Sequence, residues 1–372
     1  MKTILSVVGA RPNFMKIAPI DRALRPYARD LQHQICHTGQ HYDEKLSKVF
    51  FADLGLPAPD YHLGVGSGSH AEQTARIMVE FEKVVMADRP DLVLVVGDVN
   101  STVACSLVAA KLQIPVGHVE AGLRSWDRTM PEEINRIVTD SLADYLFVTE
   151  QSGLDNLTRE GVAPEKVHFV GNVMIDSLAQ HLEKAQSSEI LKTLALERGT
   201  YVVVTLHRPG NVDSFEGLQG TVTLLNTLAS HRRVIFPVHP RTLKSLEQLG
   251  LRSKFSSNIT ALEPVGYIDF LALIEHADLI LTDSGGIQEE STYLGVQCVT
   301  LRPNTERPIT VSMGTNHLVG VDMEHALEVC LKILGGERKH GAVPPLWDGK
   351  SAERIAAILH TSLAGNGKAA SW

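Results

Sequence analysis

With 372 residues, 44% of them hydrophobic and 21% charged, the chain has a globular composition and is too long for one ordinary core, which predicts two domains. The formal charge of −8 excludes a broad basic surface, so no nucleic acid partner is expected, and an anionic ligand must be held by a few local cations and backbone amides. No apolar run approaches bilayer-spanning length and the chain starts on a strand-like segment, so no membrane partner and no signal peptide are expected and a cytoplasmic location is.

From the N-terminus, short apolar runs alternate with helix-like periodic segments. The first run, Ile4-Leu5-Ser6-Val7-Val8, leads into Gly9-Ala10-Arg11-Pro12 and a helix over 13–24. Strand 34–37 and helix 71–85 follow. Leu92-Val93-Leu94-Val95-Val96 then leads into Gly97-Asp98 and a helix over 101–111. Val116-Gly117-His118-Val119 leads into Glu120-Ala121-Gly122, with a helix over 131–142 and strands at 145–148 and 167–170. After a polar, charge-mixed stretch over 176–198, a fresh alternation begins at Tyr201, whose run ends in His207-Arg208. A helix over 215–228, strands at 233–238 and 258–262 and a helix over 267–276 precede Leu279-Ile280-Leu281-Thr282, which leads into Asp283-Ser284-Gly285-Gly286 and a helix over 285–294. The last run, 296–301, comes shortly before Glu306-Arg307-Pro308, and the tail reads as an amphipathic helix with Ser351 as its N-cap.

This alternation predicts parallel sheets built from βαβ units. Two doubly wound halves are expected, an N-terminal domain over 1–171 and a C-terminal domain over 172–348, with a helical tail over 349–372 able to pack back on the first. The four cysteines, Cys36, Cys105, Cys298 and Cys330, are far apart in apolar contexts and read as reduced core thiols.

In open parallel sheets ligands bind beyond the carboxyl ends of the strands, where the polar clusters sit. Asp283-Ser284-Gly285-Gly286 is the most specific of them. A strand ends, a polar residue caps, two glycines bare the backbone and a helix begins, which suits an anion; Glu290, a turn and a half on, suits sugar hydroxyls. An ordinary capped helix would look the same. Arg11 and Lys16 flank a strand-to-helix turn and can reach a diphosphate or simply be solvated. Arg307 has the same two readings, including a surface pair with Glu306. Asp98, Glu120 and Glu132 form a candidate acid–base set, the alternative being caps and salt bridges to Arg124 or Arg128. His207 can donate a proton to a phosphate leaving group. Gly64-Val65-Gly66-Ser67-Gly68 lacks the strand a dinucleotide fingerprint needs, and Gly349-Lys350-Ser351 lacks a P-loop's leading glycine. No histidine spacing implies a metal.

Taken together, Gly9-Ala10-Arg11-Pro12 with Lys16, Gly97-Asp98, His118-Val119-Glu120-Ala121-Gly122-Leu123-Arg124, Pro131-Glu132-Glu133-Ile134-Asn135-Arg136, His207-Arg208, Asp283-Ser284-Gly285-Gly286-Ile287-Gln288-Glu289-Glu290 and Thr305-Glu306-Arg307-Pro308 resemble the non-hydrolysing UDP-N-acetylglucosamine 2-epimerases, in order and in register from residue 2 to about 360. The resemblance implies a GT-B-like fold, two Rossmann-like domains with the active site between them, a homodimer and no redox cofactor. It implies interconversion of UDP-N-acetylglucosamine and UDP-N-acetylmannosamine by elimination of UDP to 2-acetamidoglucal and re-addition with inversion at C2. By position, Asp98, Glu120 and Glu132 become the acid–base carboxylates and His207 assists the diphosphate. Arg11, Lys16, Ser284, Gly285 and Gly286 bind the diphosphate, Glu290 the ribose, Phe270 lies near the uracil and Arg307 contacts the nucleotide-sugar.

Three segments depart from the family's pattern. Pro209-Gly210-Asn211 follows His207-Arg208, Val265-Gly266 precedes Tyr267, and Gln40-His41-Tyr42-Asp43-Glu44-Lys45-Leu46 replaces the stretch that binds an activating second UDP-N-acetylglucosamine, so weak or absent substrate activation is expected. Rival readings are a 2-epimerase of a related sugar such as UDP-2,3-diacetamido-glucuronic acid, a GT-B glycosyltransferase, and a non-catalytic nucleotide-sugar sensor.

Overall fold

The computed structural model describes residues 1–39, 54–212 and 214–365, so the segment 40–46 on which the activation expectation rests lies outside the described residues. The first elements are β1 (Lys2–Val8), α1 (Arg11–Leu24), β2 (Leu31–His37), β3 (Tyr61–His62), α2 (His70–Ala87), β4 (Leu92–Val96) and α3 (Asn100–Lys111). They are followed by β5 (Val116–Ala121), α4 (Pro131–Leu142), β6 (Tyr145–Val148), α5 (Gln151–Arg159), β7 (Val167–Phe169) and α6 (Val173–Gln186). A second series runs α7 (Ile190–Thr193), β8 (Tyr201–Thr205), α8 (Pro209–Val212), α9 (Phe215–Ala229), β9 (Arg233–Pro237), α10 (Pro240–Gln248), β10 (Ile259–Leu262) and α11 (Tyr267–Glu275). It continues through β11 (Leu279–Thr282), α12 (Gly285–Leu294), β12 (Cys298–Thr300), α13 (Pro308–Ser312), β13 (Asn316–Leu318), α14 (Met323–Leu334) and α15 (Ser351–Ala364).

Packing divides the chain into Met1–Ser177 together with the chain from Pro345 onward, and Leu178–Pro344. The first unit holds a seven-stranded sheet in the order β3-β2-β1-β4-β5-β6-β7, every pair parallel. All five residues of β4 are buried, as expected for a parallel strand covered on both faces. The second unit holds a six-stranded parallel sheet in the order β10-β9-β8-β11-β12-β13. Its strands alternate between two cores: Val202 and Val204 pack with Leu225 and Ile333, while Tyr201 and Val203 pack with Leu271 and Leu178. Each unit is therefore Rossmann-like. The strand order reverses between β1 and β4 in one and between β8 and β11 in the other.

The packing units divide at 177/178 and 344/345, a few residues from the expected 171/172 and 348/349. The reason lies in what holds the first turns of α6 and the start of the tail. Ser177 donates to the carbonyl of Met15, and Asp176 accepts from the backbone N–H groups of Ser351 at 3.1 Å and Ala352 at 2.6 Å. Trp347 is buried and donates its indole N–H to the Thr149 carbonyl at 3.0 Å. The cap of α15 is thus the Asp176 carboxylate from a distant helix, not the expected Ser351 side chain, which sits inside the helix. Farther along, α15 packs on α1, with His360 stacked on Tyr27 at 4.4 Å.

All four cysteines are buried and unpaired, and burial pushes the Cys36 thiol up to about 12, leaving it protonated and inert near neutrality. No described helix is long and apolar enough to cross a membrane.

Candidate active site

In the first unit Asp98 and Glu120 stand at the carboxyl ends of β4 and β5, next to the switch point. Asn13, in the first turn of α1, accepts from Gly9 N–H at 3.0 Å and Ala10 N–H at 2.9 Å and donates to the Val96 carbonyl at 3.2 Å. One side chain therefore ties the end of β1 to the end of β4. The chain turns at Gly97 with φ +66°, where a Cβ would lie 3.2 Å from Lys16 Nζ and 3.4 Å from Glu120 Oε2. Asp98 follows, half-buried, its carboxylate 3.0 Å from Arg136 of α4. Its carbonyl accepts from Asn135 at 2.8 Å.

Glu120 stands where β5 bulges, at φ +76°, a left-handed conformation that costs a non-glycine residue on the order of 1–3 kcal/mol. The bulge aims its carboxylate at Lys16, and the two form a buried ion pair. Arg11, the other cation expected there, is the first residue of α1. The two acids opening α4 have separate roles. Glu133, fully buried, accepts from Ser125 N–H, Ser125 Oγ and Trp126 N–H, each at 2.9 Å, and pairs with Arg136. Glu132 is half-buried and has no hydrogen bond or ion pair among the described residues.

The salt bridges form with partners other than Arg124 or Arg128: Arg136 for Asp98 and Lys16 for Glu120. Arg124 pairs with Asp140 at 2.7 Å and Glu160 at 2.6 Å and does not meet Asp98 or Glu120. Asp140 also accepts from His118 Nδ1 at 2.6 Å and Gly122 N–H at 3.0 Å, while His118 Nε2 lies 2.9 Å from the Gly97 carbonyl. Burial pushes the Asp140 carboxyl up, yet His118 and Arg124 together hold it below its ordinary value. This buried lattice braces both turns that carry the candidate carboxylates. A second set, Ser6–His33–Asp21 with successive contacts of 2.8 Å, has the residue types of a hydrolytic triad. Ser6 is fully buried in β1, out of a substrate's reach, so that set is structural.

In the second unit the polar residues again meet at the switch point, between the ends of β8 and β11. Asp283 accepts from the backbone N–H of His207 at 3.0 Å and of Arg208 at 2.9 Å, and from Asn211 Nδ2 at 3.0 Å. The unusual Pro209-Gly210-Asn211 stretch is the short helix α8, which delivers Asn211 to that carboxylate. His207 Nδ1 lies 2.9 Å from Asp283 Oδ1, and its side chain is half exposed. Burial raises the Asp283 carboxyl, but the His207 and Asn211 donors bring it below its ordinary value.

Ser284 is the N-cap of α12, and its side chain makes no cap hydrogen bond. Gly285 and Gly286 open the helix. A Cβ on Gly285 would lie 2.8 Å from an Arg307 guanidinium nitrogen, whereas one on Gly286 would meet nothing within 4 Å. Arg307 is buried, pairing with Glu306 and, at 2.7 Å, with Glu289; Arg302 also pairs with Glu306 at 2.8 Å. The expected Arg307–Glu306 pair thus exists, but inside the protein and within a neutral group of four charges. Glu290 is buried and accepts from the Tyr267 hydroxyl at 3.1 Å. Phe270, one turn along α11 from Tyr267, is half-buried against the core.

Sequence reasoning misses Arg136 and Asp283 as site residues. Arg136 carries a signal, lying three residues after Glu133 on the same helix face. Asp283 looks like one more capping acid, because the strand that brings His207 beside it is 76 residues away in sequence.

Two Rossmann-like units, one with carboxylates at its strand ends and one with a glycine-opened helix start at its switch point, define the class of GT-B-like enzymes. A sequence model of UDP-N-acetylglucosamine 2-epimerases matches residues 24–360. A UDP-N-acetylglucosamine 2-epimerase of Methanococcus maripaludis is 44% identical over 360 residues, covering 95% of this chain and 97% of the relative. A UDP-2,3-diacetamido-2,3-dideoxy-D-glucuronate 2-epimerase of Pseudomonas aeruginosa is 41% identical over 335 residues, covering 89% and 92%. The crystal structure of Methanocaldococcus jannaschii UDP-GlcNAc 2-epimerase in complex with UDP-GlcNAc and UDP superposes with a TM-score of 0.86 at 44% identity, covering 96% of this chain and 99% of that one. The chain belongs to the UDP-N-acetylglucosamine 2-epimerase family.

Proposed function

We propose that the protein interconverts UDP-N-acetylglucosamine and UDP-N-acetylmannosamine through elimination and re-addition of UDP. The observation that carries this reading is the placement of both residue sets at switch points. Asp98 follows β4 and Glu120 ends β5 in the first unit, while His207 and Ser284-Gly285-Gly286 follow β8 and β11 in the second. Family membership supports it, as does the complex of the Methanocaldococcus relative with UDP-GlcNAc and UDP.

The C2 proton of the sugar has no neighbouring carbonyl to stabilise a carbanion, so its removal must accompany departure of the diphosphate. One carboxylate takes that proton, the C2–H electron pair becomes the C1=C2 bond, and the C1–O pair leaves with UDP. His207 protonates or hydrogen-bonds the leaving phosphate oxygen, and the bared amides of Gly285 and Gly286 stabilise its charge. In the return step a second carboxylic acid delivers a proton to the opposite face of C2 as the phosphate oxygen re-forms the bond to C1. Asp98, Glu120 and Glu132 are the three carboxylates available. No electron is gained or lost, so the reaction needs no redox cofactor. Glu290 takes the ribose hydroxyls, Phe270 lies near the uracil, and Arg11, Lys16 and Arg307 complete the ligand's polar contacts.

Separating the products of a UDP-N-acetylglucosamine incubation tests this reading. UDP-N-acetylmannosamine is expected; free N-acetylmannosamine with UDP indicates a hydrolysing enzyme. Turnover only of UDP-2,3-diacetamido-glucuronic acid selects the specificity of the Pseudomonas relative.

The two glycines give an independent check of the diphosphate assignment. Gly286→Ala places its methyl group in open space at a helical position, so the fold is expected to gain about 0.5–1 kcal/mol. UDP affinity, measured by calorimetry, is expected to fall about tenfold or more, since the methyl group intrudes where the phosphate approaches. Unchanged affinity would remove the diphosphate from this helix start. Gly285→Ala should instead lower the melting temperature, because Arg307 must move.

A further inference from the structure

Every partner that the structure gives Asp283 is a donor or can be one: two backbone N–H groups, the Asn211 amide and the His207 ring. Its carboxyl group is completely buried and ionised, with three fixed donors within 3.0 Å of Oδ2, while Oδ1 faces the imidazole and, at 3.2 Å, the His207 N–H shared between both oxygens. His207 Nδ1 lies at ion-pair distance from a carboxylate that has no proton to offer, which favours a proton on Nδ1 and leaves Nε2 as the proton-exchanging end of the ring. We propose that Asp283 is the positioning residue of the reaction, fixing His207 with Nδ1–H toward the protein and Nε2 toward the diphosphate. The same residue leads directly into Ser284-Gly285-Gly286, so the residue that holds the imidazole immediately precedes the start of α12. Its kinetic consequence rests on the epimerase reading; the tautomer does not.

Asp283→Asn discriminates sharply. The three donors at Oδ2 select the amide oxygen for that side and leave the NH₂ group facing Nδ1. The ring must then accept at Nδ1 and carry its neutral-form proton on Nε2, and its imidazolium, the form that protonates the leaving phosphate oxygen, loses the carboxylate that stabilises it.

The test has two arms. In ring-¹⁵N-labelled protein, with the His207 signals assigned by their loss in His207→Asn, the neutral wild-type ring should show the Nδ1–H tautomer. A dominant Nε2–H form overturns the proposal, and this measurement needs neither activity nor a variant at position 283. In the kinetic arm, Asp283→Asn should lower kcat on the order of 100-fold with KM within about threefold. That loss should vanish when the substitution is made in the His207→Asn background. An equal further loss in that background would show that Asp283 acts on the fold and not through His207. Wild-type protein without epimerase activity would refute the functional reading alone, with the ring nitrogens still deciding the orientation.

Discussion

Asp98→Asn is expected to slow epimerisation by about 10²–10⁴-fold while UDP affinity stays within about threefold. Asparagine matches aspartate in shape and can still accept from Arg136, 3.0 Å away, and the Asn135 bond goes to the backbone carbonyl, which the substitution leaves in place. What disappears is the capacity to take or deliver a proton. Side-chain exposure of 31% makes the stability cost small, so the loss belongs to the chemistry. Glu120→Gln should produce a similar kinetic loss. Initial rates and calorimetric UDP titrations on both variants provide the check; rates within threefold of wild type in both would discard the acid–base assignment.

The largest stability effect is expected from Lys16→Met. Its ammonium group and the Glu120 carboxylate are 8% and 4% exposed, and removing the ammonium group takes away the carboxylate's buried counter-ion, at a cost of about 3–5 kcal/mol. Glu120 also sits at a strained φ that this contact helps to hold. The double variant Lys16→Met/Glu120→Gln should recover most of the loss, because neither charge of the pair remains to be buried. Trp126 and Trp347 both belong to the first unit, so their fluorescence follows it through a urea titration. A loss below about 1 kcal/mol in the single variant, or no recovery in the double, would contradict a buried, mutually dependent pair.

Strands buried on both faces and flanked by periodic helices are legible because a short, fully apolar run that ends in glycine, acid or histidine fits little besides a covered parallel strand opening onto a polar loop. Polar helices are less so. Gln151–Arg159 and Pro240–Gln248 each carry only two leucines, too few to establish a helical period. The helix Met323–Leu334, capped by Asp322, has a clear apolar face yet is absent from the expected elements. What sequence does not carry is strand order, and strand order decides which loops become neighbours. Asp98 pairs with Arg136 and not with Arg124 or Arg128, and the tail helix is capped by Asp176 from 175 residues away. Likewise, His207 and Asp283 meet only because β8 and β11 are adjacent. The residue types at the site are readable locally; their partners depend on the fold.

The most direct test of the account is proton NMR of the protein with UDP-N-acetylglucosamine in D₂O. Proton exchange at C2 through an enzyme carboxylate predicts deuterium at C2 of newly formed UDP-N-acetylmannosamine. Epimerisation with the C2 proton retained would contradict the proposed proton transfer, and no conversion of this sugar would contradict the proposed substrate.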